Sequence, residues 1–178
     1  TASDDVTFTG DFGSGFLITV DGSKTLTSTA AIIGGQTVVG GGSVVITGLD
    51  QSPAADLLNI SVSGSTTAYF DNSQTFIGDL GSGFSVNVSE GATLYISGLK
   101  ASGQTIVGSG SVVLNDLESS PDIDLSNISV SSLSANIAGA QDIVFGDNSK
   151  FGDASINISN TGTTAFSSGA DFGSATIS

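Results

Sequence analysis

The chain has 178 residues, a net charge of −14, three lysines as its only basic residues, and no Cys, Met, Trp, His or Arg. This excludes a disulfide framework, a thiolate zinc site, a cysteine nucleophile and any histidine acting as base or metal ligand. It also makes nucleic acid a poor partner, and the longest uninterrupted apolar run, Ala30 to Ile33, is too short for membrane insertion. Twenty-five glycines beside two prolines, with abundant Ser, Thr, Val and Ile, point to short strands joined by tight turns.

Residues 1–9 hold a first strand pattern, "VTFT" (6–9), and read as a joining segment. "GDFGSGF" (10–16) follows, then "LITV" (17–20), "SVVIT" (43–47), "NISVS" (59–63) and "FSVNVS" (84–89). These segments alternate or run briefly apolar and are rich in β-branched residues, with Gly, Asp, Asn and Ser between them, which is the signature of strands. "SPAADLL" (52–58) is the one stretch that suits a helical turn, with Ser52 as cap and Pro53 as first helical residue; Ser120 and Pro121 repeat it.

"GDLGSGF" (78–84) restates 10–16, and residues 10–63 align with 78–131 without a gap at 28 identities in 54 positions. The chain thus divides into unit 1 (10–77), unit 2 (78–147) and a segment 148–178 that is a partial third unit or a cap. "DFGS" (171–174) recurs where "DFGS" (11–14) opened the first unit. The expected fold is all-β: a β-solenoid like a parallel β-helix, with three coils of 22–23 residues per 68-residue unit. An antiparallel sandwich or jelly roll is the alternative. In the repeated phrase Gly permits unusual backbone angles, Asp bonds turn amides, and Phe12 and Phe16 (Leu80 and Phe84 in the second copy) pack inward.

Candidate chemistry is sparse. The Gly-rich loops lack the Lys-Ser/Thr ending of a phosphate cradle. Calcium is the one cofactor the composition suits. Asp122 and Asp124 stand two apart, and Asp147 and Asp153 approach across a turn, yet no EF-hand loop or calcium nonapeptide is present, which favours turn-forming carboxylates. Asn59, Asn87, Asn127 and Asn157 each head an Asn-x-Ser glycosylation pattern, and Asn59, Asn127 and Asn157 align in the repeat; Asn at a strand edge explains the same pattern. A carboxylate pair for sugar cleavage has Glu90 and Glu118 available, but few aromatic platforms and no Arg. "TLTSTA" (25–30) suggests an ice- or crystal-binding Thr array, but the second copy reads "TLYISG" (93–98), so the array does not recur between units.

"GATLYISGLKASGQTIVGSGSVVLNDLE" (91–118) and its partner at 23–50 resemble the tandem β-repeats of large secreted bacterial surface and adhesin-type proteins, over roughly residues 4–131. The resemblance implies a secreted, β-rich, non-catalytic protein and transfers no functional residue. The resulting expectation is an extracellular, non-enzymatic structural subunit. Its partners would be copies of itself, added end to end through residues 1–9 and 165–178 into a filament or surface layer. The alternatives are a segment of a calcium-dependent adhesin that meets a cell surface or glycan, and a β-helix enzyme acting on polysaccharide.

Overall fold

The computed structural model describes residues 1–115, 117, 122–138, 142–159 and 161–178. Unit 1 and its leader supply β1 (Val6–Phe8), β2 (Leu17–Val20), β3 (Thr25–Thr29), the helical turn α1 (Ala30–Ile33), β4 (Thr37–Gly40), β5 (Ser43–Thr47), β6 (Ile60–Val62), β7 (Thr66–Phe70) and β8 (Gln74–Thr75). Unit 2 supplies β9 (Phe84–Val88), β10 (Thr93–Ser97), α2 (Gly98–Ala101), β11 (Thr105–Gly108), β12 (Ser111–Asn115), β13 (Ile128–Ser129), β14 (Ser132–Ile137) and β15 (Ile143–Phe145). The last segment adds β16 (Ser155–Ile158), β17 (Thr164–Phe166) and β18 (Thr176–Ile177).

Every pairing among these strands is parallel. The chain is therefore a β-solenoid, of about eight coils, and not an antiparallel sandwich. Odd strands β1 to β13 stack into one seven-stranded sheet, and β8, β10, β12, β14, β16 and β18 into a six-stranded one; β2, β4 and β6 form a third sheet and β15 and β17 a fourth. Alternate residues of each strand turn inward. β7 and β9, for example, bury Thr66, Ala68, Phe70 and Phe84, Val86, Val88. The inward residues build one continuous core along the axis. That alternation is the physical reason β-branched residues at period two suffice to specify a coil.

Coil steps along the sheets run from 18 to 22 residues, somewhat shorter than the expected 22–23. The steps explain how the repeat is laid down. In the seven-stranded sheet Val6 is followed by Leu26, Val44 and Thr66, steps of 20, 18 and 22, so three coils consume 60 residues. The sequence repeat is 68 residues. The eight residues left over carry the chain from Thr66 on β7 to Gln74 on β8, the equivalent of Val6, on a different sheet. β8 and the strands of unit 2 consequently stand one face away from their twins. β8, β10 and β12 lie in the six-stranded sheet while β1, β3 and β5 lie in the seven-stranded one. β9, β11 and β13 continue the seven-stranded sheet, while their twins β2, β4 and β6 stand apart. β7 is the splice, pairing with β5 of its own unit through Val44–Thr66 and with β9 of the next through Thr66–Phe84.

Residues 52–58 are turns and no helix. The backbone there is claimed by the next coil, since Pro53 O accepts from Ile77 and Gly78 N at 2.8 Å each. Ser120 and Pro121 lie outside the described residues. The helical turns occur instead at α1 and α2, twins that each follow a strand directly. Gly40 and Gly108, also twins, take φ of +127° and +128°, and a Cβ on either would sit about 2 Å from the carbonyl oxygen of Val20 or Val88 on the coil before. Only glycine fits so close a coil-to-coil approach.

Candidate functional site

The acidic residues have a common placement. Among the described residues no Asp, Glu or Lys lies in a strand; the charges occupy α2 or the segments between strands. One edge of the solenoid gathers many of them. Along it Asp56 bridges Asp79, and Asp124 bridges Lys150, which bridges Asp171. Gly35 N donates to Asp56 O and Gly103 N to Asp124 O, at 2.8 and 2.7 Å, filling the intermediate coils. The residues after Asp56, Asp79, Asp124, Lys150 and Asp171, namely Leu57, Leu80, Leu125, Phe151 and Phe172, pack on the core.

This edge accounts for the repeated phrase. Asp11, Asp56, Asp124 and Asp171 each accept the backbone N–H two residues on, from Gly13, Leu58, Ser126 and Gly173, at 2.7–3.1 Å. Asp79 instead meets the ammonium of Lys100. Such Asx turns bend the chain locally at the corner. Phe12 is half-buried and stacks on Phe8, and Leu80 and Phe84 are buried as expected. Phe16 departs from expectation at 54 % exposed, because no earlier coil covers that part of the first one. Gln36, which sequence reasoning missed, is buried and clamps this coil: its Oε1 accepts from Phe16 N at 2.8 Å and its Nε2 donates to Gly13 O at 2.7 Å.

Other carboxylates tie one coil to the next. Asp50 accepts from Asn72 Nδ2 at 2.8 Å, Asp71 from Ser89 Oγ at 2.5 Å, and Asp142 from Thr163 N at 2.8 Å. The Thr163 bond holds the Asp142 carboxyl below the usual aspartate range. The signal for this role was available in the sequence, as acids separated by about one coil from a Ser, Thr or Asn.

The four metal candidates divide. Asp122, Asp124 and Asp147 line one groove of about 470 Å³ together with Asp171, Asn148 and Lys150. Asp153 lies elsewhere and accepts from Ser174 Oγ. Within the groove Asp122 accepts from Asn148 N and Nδ2 at 3.1 and 3.3 Å, and Asp147 accepts from Gly169 N at 3.3 Å. Asp124 accepts from Ser126 Oγ at 2.5 Å and Lys150 Nζ at 3.3 Å. The Ser126 hydroxyl pulls the Asp124 carboxyl below its ordinary value; burial opposes it, and the Ser126 N–H and Lys150 add smaller pulls in the same direction as the hydroxyl. Among the described residues no three acidic side chains come together closely enough to hold a metal ion.

Of the glycosylation candidates, Asn59 and Asn127 are exposed and immediately precede twin strands β6 and β13. Asn157 is exposed but does not share their position: it lies inside β16, opposite Asn136 of β14. Asn87 is half-buried in β9 between Tyr69 and Val107. Glu90 is exposed in a turn, and Glu118 lies outside the described residues. No helix of the described residues is long and apolar enough to cross a membrane. No protein-family model matches the chain, and neither the curated proteins nor the solved structures contain a match to it.

Proposed function

We propose that this protein is a non-enzymatic, extracellular structural rod whose copies join end to end by adding coil to coil. The observation that carries this reading is the recurrence of one turn on the first and last coils: Asp11-Phe12-Gly13-Ser14 and Asp171-Phe172-Gly173-Ser174, both with the Asx bond. A coil built on the second quartet offers the surface that the first needs, much as Phe151 and Phe172 stack at 5.1 Å on adjacent coils. Apolar side chains support it at both ends, with Phe16 and Leu17 54 % and 67 % exposed on the first coils and Ile177 50 % exposed on the last. Strand edges of this kind template further pairing. The acids serve as turn and staple groups, which suits a scaffold better than a catalyst.

Negative-stain electron microscopy of the purified chain across a concentration series tests the proposal. Uniform fibres are expected, and deletion of residues 1–9 should stop their growth while leaving a soluble, β-rich protein. Normal fibres from that deletion, or isolated particles at every concentration, would overturn it. A second reading, a segment of a calcium-dependent adhesin, draws on the groove that Asp122, Asp124 and Asp147 line. It requires a rise in Tm on adding millimolar calcium, since a ligand bound only by the folded state stabilises it.

A further inference from the structure

The seven-stranded sheet carries a rank of hydroxyls that the sequence hides. Thr7 pairs with Thr27, Thr27 with Val45, Val45 with Thr67, Thr67 with Ser85, and Ser85 with Thr105. From β3 to β11 these residues alternate with buried ones, and Thr7 in β1 is exposed and in register with Thr27, so the six side chains stand in line over six consecutive coils. Five bear a hydroxyl, and Val45 keeps the shape of threonine. Flanking ranks run parallel to it, one through Thr25 and Ser43 and one through Thr29 and Thr47. Comparing "TLTSTA" with "TLYISG" misses the array because the eight-residue remainder puts those segments on different sheets. The ladder crosses from unit 1 to unit 2 at β7–β9 instead.

Coil stacking and strand rise set a grid of about 4.8 Å by about 6.7 Å. The strands contribute no charge to it, in a chain of net charge −14. The patch measures on the order of 500 Å² by those spacings, below the roughly 800 Å² per partner of a stable protein interface. It offers few large apolar anchors for a protein, and Tyr69 is its one aromatic ring, too little to stack a sugar chain. A neutral, rigid lattice of hydroxyls and methyls fits a ligand that is itself a neutral hydrogen-bonding lattice. Hydroxyls hold waters at fixed spacing, methyls order those between, and the rigid sheet has already lost the freedom that binding would otherwise cost. Charged groups would keep their own hydration shells and spoil the match. The geometry points to the outer face of the seven-stranded sheet as an ice-binding surface.

This inference is independent of end-to-end assembly. Its test is thermal hysteresis and ice-crystal shaping by the intact chain, with circular dichroism melting on each variant. The chain should separate freezing from melting and facet the crystals. Thr27→Lys and Thr67→Lys should abolish both effects with Tm unchanged, Thr67→Val should retain them, and Ser134→Lys on the six-stranded sheet should have no effect. Freezing at the melting point without faceting by the intact chain overturns the proposal, as does equal loss in Ser134→Lys. Should a lysine variant melt early, Thr67→Val and the intact chain still decide. Binding to crystalline cellulose, or self-association through this face, without any effect on ice assigns the face to another occupant and overturns it equally.

Discussion

Phe16 and Phe84 hold the same place in the repeat, yet Phe16 is 54 % exposed and Phe84 2 %. The phrases around them are nearly identical, and both Phe residues sit at the head of a coil strand. Phe84 begins β9, paired with β7 on one side and β11 on the other, whereas β2 behind Phe16 has β4 as its one full strand partner and only the Ala2–Val20 bridge on its other side. Local sequence thus fixes the path of a coil, and the neighbouring coils fix what it buries. The same contrast separates Thr27 from Tyr95: twins in sequence, one in the hydroxyl rank of the seven-stranded sheet and the other on the six-stranded sheet.

The comparison can be broken or sharpened by paired substitutions. Leu57 and Leu125 are twins and both fully buried at the Asp-rich edge. Leu57→Ala and Leu125→Ala should each cost about 2–5 kcal/mol and agree closely in urea unfolding; a large difference would mean that the two units do not share one coil geometry. Gly40→Ala and Gly108→Ala should follow at about 3 kcal/mol each, from backbone strain and the clash with the preceding carbonyl. Equal losses are expected although β4 and β11 stand in different sheets.

A smaller effect is expected at Asp124, whose twin Asp56 bonds Leu58 N but faces no lysine. The folded-state carboxyl of Asp124 is lowered, so its contribution is present above the ordinary aspartate range, near pH 4, and is lost as pH falls through the lowered value. Asp124→Asn should therefore lower Tm modestly at pH 7, change little once the pH is below the lowered value, and so flatten the acid side of a Tm-against-pH curve. Smallest of all is Lys100→Ala, which removes a half-exposed ion pair with Asp79 and should cost under about 1 kcal/mol, less at high salt.

The strands were legible because period-two apolar patterns survive intact in "LITV", "SVVIT" and "FSVNVS", and Gly with Asp marks the corners. Stacking was not legible. Coil length varies with the turns, so a repeat of 68 residues conceals steps of 18, 20 and 22, and alignment pairs twins in place of neighbours. The helical turn expected at 52–58 failed for the same reason, since hydrogen bonds from residues 77 and 78 outweigh a local cap. Of the metal candidates, Asp147 was expected to approach Asp153, but it lines a groove with Asp122 and Asp124, about 25 residues away and one coil apart, and that groove also holds Lys150 and Asn148.

The eight residues by which each repeat exceeds three coils act like the pitch of a screw thread. Each successive repeat starts one face further round, and after about three repeats the remainders amount to a full coil. A side chain written once per repeat would then wind around the rod as a spiral, visible from every direction. Longer arrays of this unit would show the same chemistry on all sides without any change of sequence.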